Sequence, residues 1–182
     1  NSKLFYYNER WKKKYRKFLN IDDKTKLIGF INRYDKQKNF DVFFEILTSL
    51  KKDNYKFKAI LCGENITKSN KDLIKKIKYY HLSEYIILAG ARKKINYLYS
   101  ALDYSVSTSL YGEGFQNTLL ESIATETLPL YSKAGDAKFI LNKIIDTFHG
   151  DMQNDYVNFI YKIEKLNVNE KSKIINSLKD LS

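Results

Sequence analysis

Short apolar runs alternate with segments of helical periodicity along most of this sequence. The apolar runs are Leu27–Ile31, Phe57–Cys62, Tyr85–Ala89, Tyr104–Thr108 and Leu128–Tyr131, with a possible sixth at Ile144–Ile145. Between them lie stretches such as Phe40–Leu50, whose apolar residues recur every three or four positions. Apolar runs of this length, without polar alternation, are typical of strands that are buried on both faces. The sequence therefore predicts βα units, and with them an α/β fold in which helices cover both faces of a parallel sheet.

Polar residues and glycines that could bind a ligand follow each predicted strand. Because crossovers between parallel strands are right-handed, the predicted sheet is Rossmann-like, and the ligands of such sheets bind beyond the carboxyl ends of the strands. The segments that follow the five strands are Asn32–Lys38, Gly63–Glu64, Gly90–Lys94, Ser109–Asn117 and Ser132–Asp136. We therefore expect the functional site at this edge of the sheet.

The composition, 43% apolar and 29% charged in 182 residues, is that of one globular domain with a sizeable core. The sequence has neither an apolar run long enough to predict a transmembrane helix nor a signal-peptide pattern at its start. Cys62 is the only cysteine and lies in a predicted strand, which favours a buried thiol and a reducing, cytoplasmic setting. The first residue is Asn1 rather than methionine, so we expect the chain to be a processed product or an excised piece of a longer protein.

The positive charge of the chain, formally +11, is concentrated near its start. Residues 1–20 carry seven lysines and arginines against one acid, Glu9. Their apolar residues form a stripe at three- and four-residue steps: Leu4, Tyr7, Trp11, Tyr15 and Phe18. The pattern predicts a basic amphipathic helix in residues 1–20 that leads into a domain spanning residues 21–182. Two interpretations stay open: a surface attracted to anionic lipid or nucleic acid, and a helix whose stripe docks on a neighbouring domain while its lysines are solvated.

The segment YGEGFQNTLLE, from Tyr111 to Glu121, combines glycines, two carboxylates and the start of a predicted helix. A helix start offers unpaired backbone N–H groups and a partial positive charge to a phosphate, and Gly114 lets the backbone approach a ligand without a Cβ in the way. Glu113 and Glu121, at either end of this element, are suited to accept hydrogen bonds from sugar hydroxyls. After the first strand, Arg33 and Lys38 supply two cations that can neutralise a diphosphate.

Taken in order along the chain, these motifs resemble those of a known enzyme family. From about Leu19 to Leu141 the chain resembles the carboxyl-terminal, donor-binding half of the GT-B glycosyltransferases of family 4, also called group 1. The segments that carry the resemblance are IGFINRYDKQKNFD from Ile28, LCGE from Leu61, LYSALDYSVSTS from Leu98, EGFQNTLLE from Glu113 and LPLYSKAG from Leu128. EGFQNTLLE is the most specific, since two glutamates separated by seven residues are the signature of that family. The fold that the resemblance implies is one half of a GT-B fold, with the amino-terminal acceptor domain absent from this chain.

The resemblance also implies roles for individual residues. Three would be catalytic: Glu113 would hold hydroxyls of the donor sugar, while Arg33 and Lys38 would stabilise the departing nucleoside diphosphate. Glu121 would hold the ribose. The backbone that cradles the sugar and the distal phosphate would be that of Gly114, Phe115, Gln116, Asn117 and Thr118. Members of the family need no metal, and the sequence has no Asp-x-Asp pair, so we expect neither a metal nor another cofactor.

Four positions depart from the family pattern. Asn39, Glu126 and Asp136 stand where glycine is usual, and Thr108 stands where proline is usual. These departures bear on which base and which sugar are bound.

The function that the resemblance implies is a retaining glycosyltransferase that moves a hexosyl group from a UDP- or GDP-sugar. The acceptor would be a growing bacterial surface glycan, such as capsule or lipopolysaccharide, or a lipid-linked glycan. The expected location is the cytoplasm, with peripheral contact to the anionic inner face of the plasma membrane. This chain alone should bind the donor and transfer little or nothing. Two other classes stay open: a basic nucleic-acid-binding module that uses the charge excess, and a catalytically inert GT-B-like interaction domain.

Overall fold

Five parallel strands form the centre of the computed structural model, in the order β3-β2-β1-β4-β5. The strands are β1 (Lys26–Ile31), β2 (Phe57–Cys62), β3 (Ile86–Leu88), β4 (Tyr104–Ser107) and β5 (Leu128–Tyr131). The structure describes residues 4–111, 113–114, 116–135 and 152–180. Neighbouring strands pair in parallel, so that Ile28 of β1 lies opposite Ala59 of β2 and Tyr104 of β4. The predicted α/β, Rossmann-like parallel sheet is confirmed, whereas the possible strand at Ile144–Ile145 lies outside the described residues.

Helices cover both faces of the sheet. They are α1 (Glu9–Phe18), α2 (Phe40–Lys52), α3 (Lys71–Tyr79), α4 (Asn96–Ala101), α5 (Asn117–Ala124), α6 (Gln153–Glu164) and α7 (Val168–Lys179), with a 3₁₀ turn at Lys36–Lys38. Because successive strand residues point to opposite faces, Ile28 and Phe30 pack with α2, α3 and α6, while Leu27 and Ile31 pack with α4. In the described part of the chain, no helix is long and apolar enough to cross a membrane.

The predicted apolar stripe of α1 is only partly correct. Asn8 caps the helix by accepting a hydrogen bond from the backbone N–H of Trp11 (3.0 Å), so Leu4 and Tyr7 precede the helix rather than lying on its face. The Trp11 ring lies against Tyr97 of α4, with ring centroids 4.4 Å apart. Phe18, the last stripe residue, is 72% exposed. The helix therefore docks on α4 of the same sheet through the middle of its stripe, and its ends remain at the surface.

Arg16 is the residue that fixes α1 to the sheet, and the sequence pattern gave no sign of this. Its guanidinium is buried and lies 2.9 Å from the carboxylate of Asp103, which precedes β4. It also donates hydrogen bonds to the carbonyl groups of Ala101 (3.2 Å) and Asp22 (2.7 Å). The same Asp103 carboxylate accepts a hydrogen bond from the backbone N–H of Leu27 in β1 (2.8 Å). One of the basic residues of the segment is thus a structural cation, because the expectation of solvated charges took no account of tertiary partners.

Candidate functional site

A crevice opens beyond the carboxyl ends of β1 and β4. These two strands are neighbours at the centre of the sheet. From β1 the chain adds β2 and β3 on one side, and from β4 it adds β5 on the other side. Ligands of open parallel sheets bind at the point where the strand order reverses in this way. The loops that follow the two strands meet here through Gln37. Its backbone carbonyl accepts a hydrogen bond from Leu110 (2.9 Å), and its side-chain amide donates one to the carbonyl of Tyr111 (2.6 Å). The sequence predicted this edge of the sheet as the site but not the role of Gln37.

Lys38 and Glu113 form an ion pair across the crevice. The ammonium group of Lys38, from the loop after β1, bonds to Oε1 of Glu113, from the loop after β4. Both side chains are largely buried, with 12% of Lys38 and 13% of Glu113 exposed. Lys38 and Glu113 lie 75 positions apart in sequence and form an ion pair with little access to solvent. A charge without a counter-ion would be energetically costly there.

The backbone around this pair is held from two sides. The Thr108 hydroxyl lies 2.8 Å from the carbonyl oxygen of Lys38, to which it can donate a hydrogen bond, and this ties the end of β4 to the 3₁₀ turn. Gly135, after β5, has a φ of +73°, and a Cβ there would lie 2.5 Å from the carbonyl oxygen of Glu113. The loop after β5 thus rests directly on the backbone of Glu113 and Gly114, an approach that only glycine permits. Neither Thr108 nor Gly135 was predicted as a site residue.

The crevice continues over the ends of β1 and β2 as a cavity of about 460 Å³. It is lined by Ile31, Asn32, Arg33, Lys38, Cys62, Gly63, Glu64, Ala91, Arg92 and Ile95. Gly63 has a φ of +150°, and a Cβ on it would collide with the carbonyl oxygen of Asn32, so the two strand ends can lie side by side only with glycine here. The predicted cations Arg33 and Lys38 both reach the cavity, and the structure adds a third, Arg92.

Arg33 is held in place by residues of its own loop. Its Nε lies 3.3 Å from the Asp35 carboxylate, and one terminal nitrogen donates to the Gln37 side chain (3.2 Å). The side chain is 54% exposed, so its charge faces solvent at the mouth of the cavity. Asp35 also accepts a hydrogen bond from the backbone N–H of Gln37 (2.9 Å), and these bonds keep the pKa of its carboxyl below the ordinary value, the largest cause being the bond to the backbone.

The start of α5 faces the same edge of the sheet. Gln116 precedes the helix but does not cap it with its side chain, which instead donates to the carbonyl of Ala134 (3.3 Å). The first N–H groups of a helix have no partner within the helix and so can receive an anion. A Cβ on Gly114 would meet nothing within 4 Å, so the backbone there borders open space. Asn117 is exposed and Thr118 is half-buried, whereas Phe115 lies outside the described residues.

Glu121 lies one turn into α5, in surroundings that differ from those of Glu113. Burial raises the pKa of its carboxyl, and an interaction with the Tyr99 hydroxyl opposes that rise. Tyr99 of α4 is fully buried, and its hydroxyl has no hydrogen bond of normal geometry within the described residues. Burial raises the pKa of Tyr99 well above its ordinary value, with Tyr131 and Glu121 adding to the effect. A half-buried carboxyl beside an unsatisfied hydroxyl is costly in the free protein and suited to a ligand that supplies further hydrogen bonds.

The structure therefore brings Arg33, Lys38 and Glu113 together at the crevice and sets Glu121 apart, one helical turn further in. Side chains missed by sequence reasoning are Gln37, Thr108, Tyr99 and Arg92. Gln37 lies between the two predicted cations, and Arg92 lies in the segment Gly90–Lys94 that follows a predicted strand; these positions were the available signals for the two residues. Thr108 and Tyr99 could be recognised as site residues only from contacts that are distant in sequence. Within the described residues, no group of three or more His, Cys, Asp or Glu side chains could hold a metal ion. That no metal is needed stays a prediction.

The family model for glycosyl transferases group 1 matches residues 12–177. This match covers most of the chain. The protein belongs to the group 1 glycosyltransferases. A comparison with curated proteins found no match.

Solved structures similar to this group 1 domain show how much of a complete enzyme it represents. HepE from Anabaena, in a complex with UDP-glucose, superimposes with a TM-score of 0.84 at 20% identity, covering 100% of this chain and 50% of HepE. WaaG, a glycosyltransferase involved in lipopolysaccharide biosynthesis, gives a TM-score of 0.78 at 15% identity, covering 94% of this chain and 46% of WaaG. The carboxyl-terminal domain of LpcC from Francisella tularensis gives 0.76 at 23% identity, with 100% and 95% covered. The chain spans about half the length of HepE and WaaG, and its fold is one half of a GT-B fold, as predicted.

Proposed function

We propose that this domain binds the nucleoside-diphosphate sugar donor of a retaining glycosyltransferase that transfers a hexosyl group. The observation that carries the proposal is the Lys38–Glu113 ion pair at the crevice, beside the open start of α5. Lys38 and Glu113 lie next to each other at the edge where Rossmann-like sheets bind nucleotides, and a cation suits a phosphate as a carboxylate suits sugar hydroxyls; this supports the proposal. HepE, a structural neighbour, is in complex with UDP-glucose, which supports a UDP-sugar as the first donor to test and leaves a GDP-sugar as the second.

The diphosphate would be held by cations and by backbone N–H groups. Lys38 bonds to Glu113 in the free protein, and a phosphate entering the crevice would compete for the same ammonium group. Arg33, half exposed at the mouth of the cavity, adds a second charge whose planar donors suit phosphate oxygens. The start of α5 contributes its free N–H groups, and the open space at Gly114 lets a phosphate come close to the backbone. Negative charge that builds up on the leaving diphosphate would thus be stabilised by groups already in position.

The two glutamates would bind the two sugars of the donor. When Lys38 turns to the phosphate, the carboxylate of Glu113 is freed to accept hydrogen bonds from hydroxyls of the transferred sugar. Glu121, half-buried near the buried hydroxyl of Tyr99, would accept hydrogen bonds from the ribose, and the ligand would offset the cost of burying that carboxylate. No protein base is assigned, because in the retaining mechanism that the family resemblance implies, a donor phosphate oxygen takes the proton of the acceptor.

The setting of the reaction is the remaining part of the proposal. A bacterial surface glycan, a capsule or lipopolysaccharide, or a lipid-linked precursor would be the acceptor, with the similarity to WaaG as support for lipopolysaccharide. The acceptor would bind to a second domain, and the 182-residue chain alone would transfer little or nothing. The cytoplasm and the inner face of the plasma membrane are the proposed locations.

Calorimetric titration of the chain with UDP, UDP-glucose, GDP and GDP-mannose tests the proposal. We expect one of the two nucleotide series to bind and Lys38→Ala to lose at least about tenfold in affinity, as expected for a lost charge-assisted hydrogen bond. Lys36→Ala is the matched control, since Lys36 is an exposed lysine of the same 3₁₀ turn that does not line the cavity. Equal losses of affinity in the two variants would mean that any lost positive charge weakens binding and that Lys38 has no specific role.

The remaining outcomes separate the proposed function from its two alternatives. A folded chain that binds none of the nucleotides would favour the inert interaction domain. Binding of single-stranded nucleic acid with a steep salt dependence, unaffected by Glu113→Ala, would favour the nucleic-acid module. Nucleotide binding that is lost in Glu121→Ala, with the melting temperature retained, would support the proposed role of Glu121 in binding the ribose.

A further inference from the structure

A second cavity, of about 740 Å³, lies between α1 and the loop that follows β3. Five of its lining residues are cations: Arg10, Lys14, Arg92, Lys93 and Lys94. The four loop residues 91–94 are all exposed, as are Arg10 and Lys14 on the helix. We call this cavity the basic cleft.

The charges of the basic cleft are not neutralised by the described part of the chain. Its lining includes no acidic residue, and none of the five cations is among the ion pairs of the described residues. The only hydrogen bond found for their side chains in those regions joins Arg92 to the carbonyl of Ala89 (2.8 Å). Five uncompensated positive charges around one concave surface attract an anionic partner.

Apolar side chains at the cleft indicate which kind of anionic partner fits. Phe18 lines the cleft together with these five lysines and arginines and is 72% exposed, although its ring centroid lies 6.0 Å from that of Tyr15. The Trp11 ring is occupied by Tyr97 at 4.4 Å and by Tyr6 at 5.0 Å, so it is not free to stack on a nucleic-acid base. A protein partner would need matching acids, and lysine is depleted in the cores of protein interfaces. A lipid bilayer accepts a cation at its headgroups and an aromatic ring at its interface.

We propose that the basic cleft docks on the headgroups of an anionic lipid bilayer, with Phe18 entering the interface. Because Arg92 lines both the cleft and the crevice that holds Arg33 and Lys38, docking would bring the bilayer surface next to the candidate site. A lipid-linked acceptor would then be presented where the donor is held. The inference rests on the membrane location proposed above and assigns it a surface; its evidence is the charge and exposure at the cleft, which do not depend on nucleotide binding.

Co-sedimentation of the 182-residue chain with vesicles tests the proposal. Vesicles of equal parts phosphatidylcholine and phosphatidylglycerol should bind the chain, and vesicles of phosphatidylcholine alone should not. The triple variant Lys14→Glu, Lys93→Glu and Lys94→Glu should lose roughly 100-fold or more in partitioning, since each lysine near an anionic surface contributes about fivefold. Arg92 is left unchanged because it also lines the candidate site. Phe18→Ser should weaken the binding that remains at high salt.

The matched control reverses three lysines on the opposite face of the sheet. Lys71, Lys75 and Lys78 of α3 are exposed, and their change to glutamate alters the net charge by the same amount. Binding that falls equally in both triple variants would overturn the proposal in favour of net charge alone. Equal binding to neutral vesicles, or binding of a single-stranded oligonucleotide without binding of anionic vesicles, would also overturn it. Circular dichroism melting of each variant shows whether a loss is due to unfolding, and nucleotide titration shows separately whether the donor site is intact.

Discussion

At the scale of single residues, the Lys38–Glu113 ion pair should contribute to the free energy of unfolding as well as to the proposed donor binding. Removing one partner leaves the other charge largely buried without a counter-ion. We therefore expect Lys38→Met to lower the free energy of unfolding by roughly 1–3 kcal/mol, and the double variant Lys38→Met with Glu113→Leu to recover much of that loss. Urea denaturation of the wild type, both single variants and the double variant measures the coupling. If the double variant were no more stable than Lys38→Met, the two side chains would not be energetic partners.

Glu121 carries a different residue-scale prediction, in which stability and binding change in opposite directions. Burial raises the pKa of its carboxyl in the folded chain above that in the unfolded chain, so stability is lost as pH rises through the raised pKa. Glu121→Gln should therefore raise the melting temperature at neutral pH, and the gain should vanish at a pH below the ordinary carboxyl range. The same substitution should weaken binding of a ribose nucleotide, because Gln offers one uncharged acceptor oxygen and an N–H₂ donor where the carboxylate offers two charged acceptor oxygens.

Tyr99 extends this prediction to the pH dependence of binding. Its hydroxyl lowers the pKa of Glu121 against the effect of burial, so Tyr99→Phe should raise that pKa further. A protonated Glu121 is a poor partner for two hydroxyls. As the pH is lowered, the affinity of Tyr99→Phe for the nucleotide should therefore begin to fall at a higher pH than the affinity of the wild type. A pH series of calorimetric titrations shows the shift. An unshifted profile with uniformly weaker binding would mean that Tyr99 acts only in packing.

At the scale of elements, two glycines near α5 have different expected roles: one supports the loop before the helix, and the other lies where a ligand would approach the backbone. Gly135 supports the loop, because it has a positive φ and a Cβ there would strike the backbone at Glu113 and Gly114. We expect Gly135→Ala to cost at least about 1 kcal/mol in unfolding free energy and to weaken donor binding as Glu113 is displaced. Gly114→Ala should leave stability within about 0.5 kcal/mol of the wild type and reduce donor affinity alone, since a Cβ there enters open space. Thermal melts and titrations of the two variants should diverge in this way; a stability loss in Gly114→Ala would contradict it.

At the scale of the whole molecule, Arg16 joins α1 to the starts of β1 and β4 through Asp103. Without its side chain, the Asp103 carboxylate and the carbonyl groups of Ala101 and Asp22 would each lose a buried donor. We expect Arg16→Met to lower the free energy of unfolding by about 3 kcal/mol or more. Lys13→Met on the same helix is the control and should change it by less than about 0.5 kcal/mol, because the ion pair that Lys13 makes with Glu9 in the described part of the chain is exposed. Equal effects would show that helix propensity, not the buried network, holds α1.

The sequence by itself determined the architecture and the edge of the sheet at which the candidate site lies. Apolar runs and helical periodicity are local, and a parallel sheet with right-handed crossovers follows from them without knowledge of any particular contact. The identity of the charged and glycine residues after each strand is equally local, so Arg33, Lys38, Glu113 and Gly114 could be selected from motifs.

Only the tertiary structure decided which of these residues are partners. That Lys38 bonds to Glu113, that Glu121 lies beside Tyr99, and that Arg16 is a buried structural cation all depend on residues brought together from distant parts of the chain. The sequence does not show whether a charged residue is solvated, paired or buried. The electrostatic energy of the residue differs among these states, because burial changes the dielectric surroundings and the available partners. Electrostatics at this site is therefore a property of the folded chain.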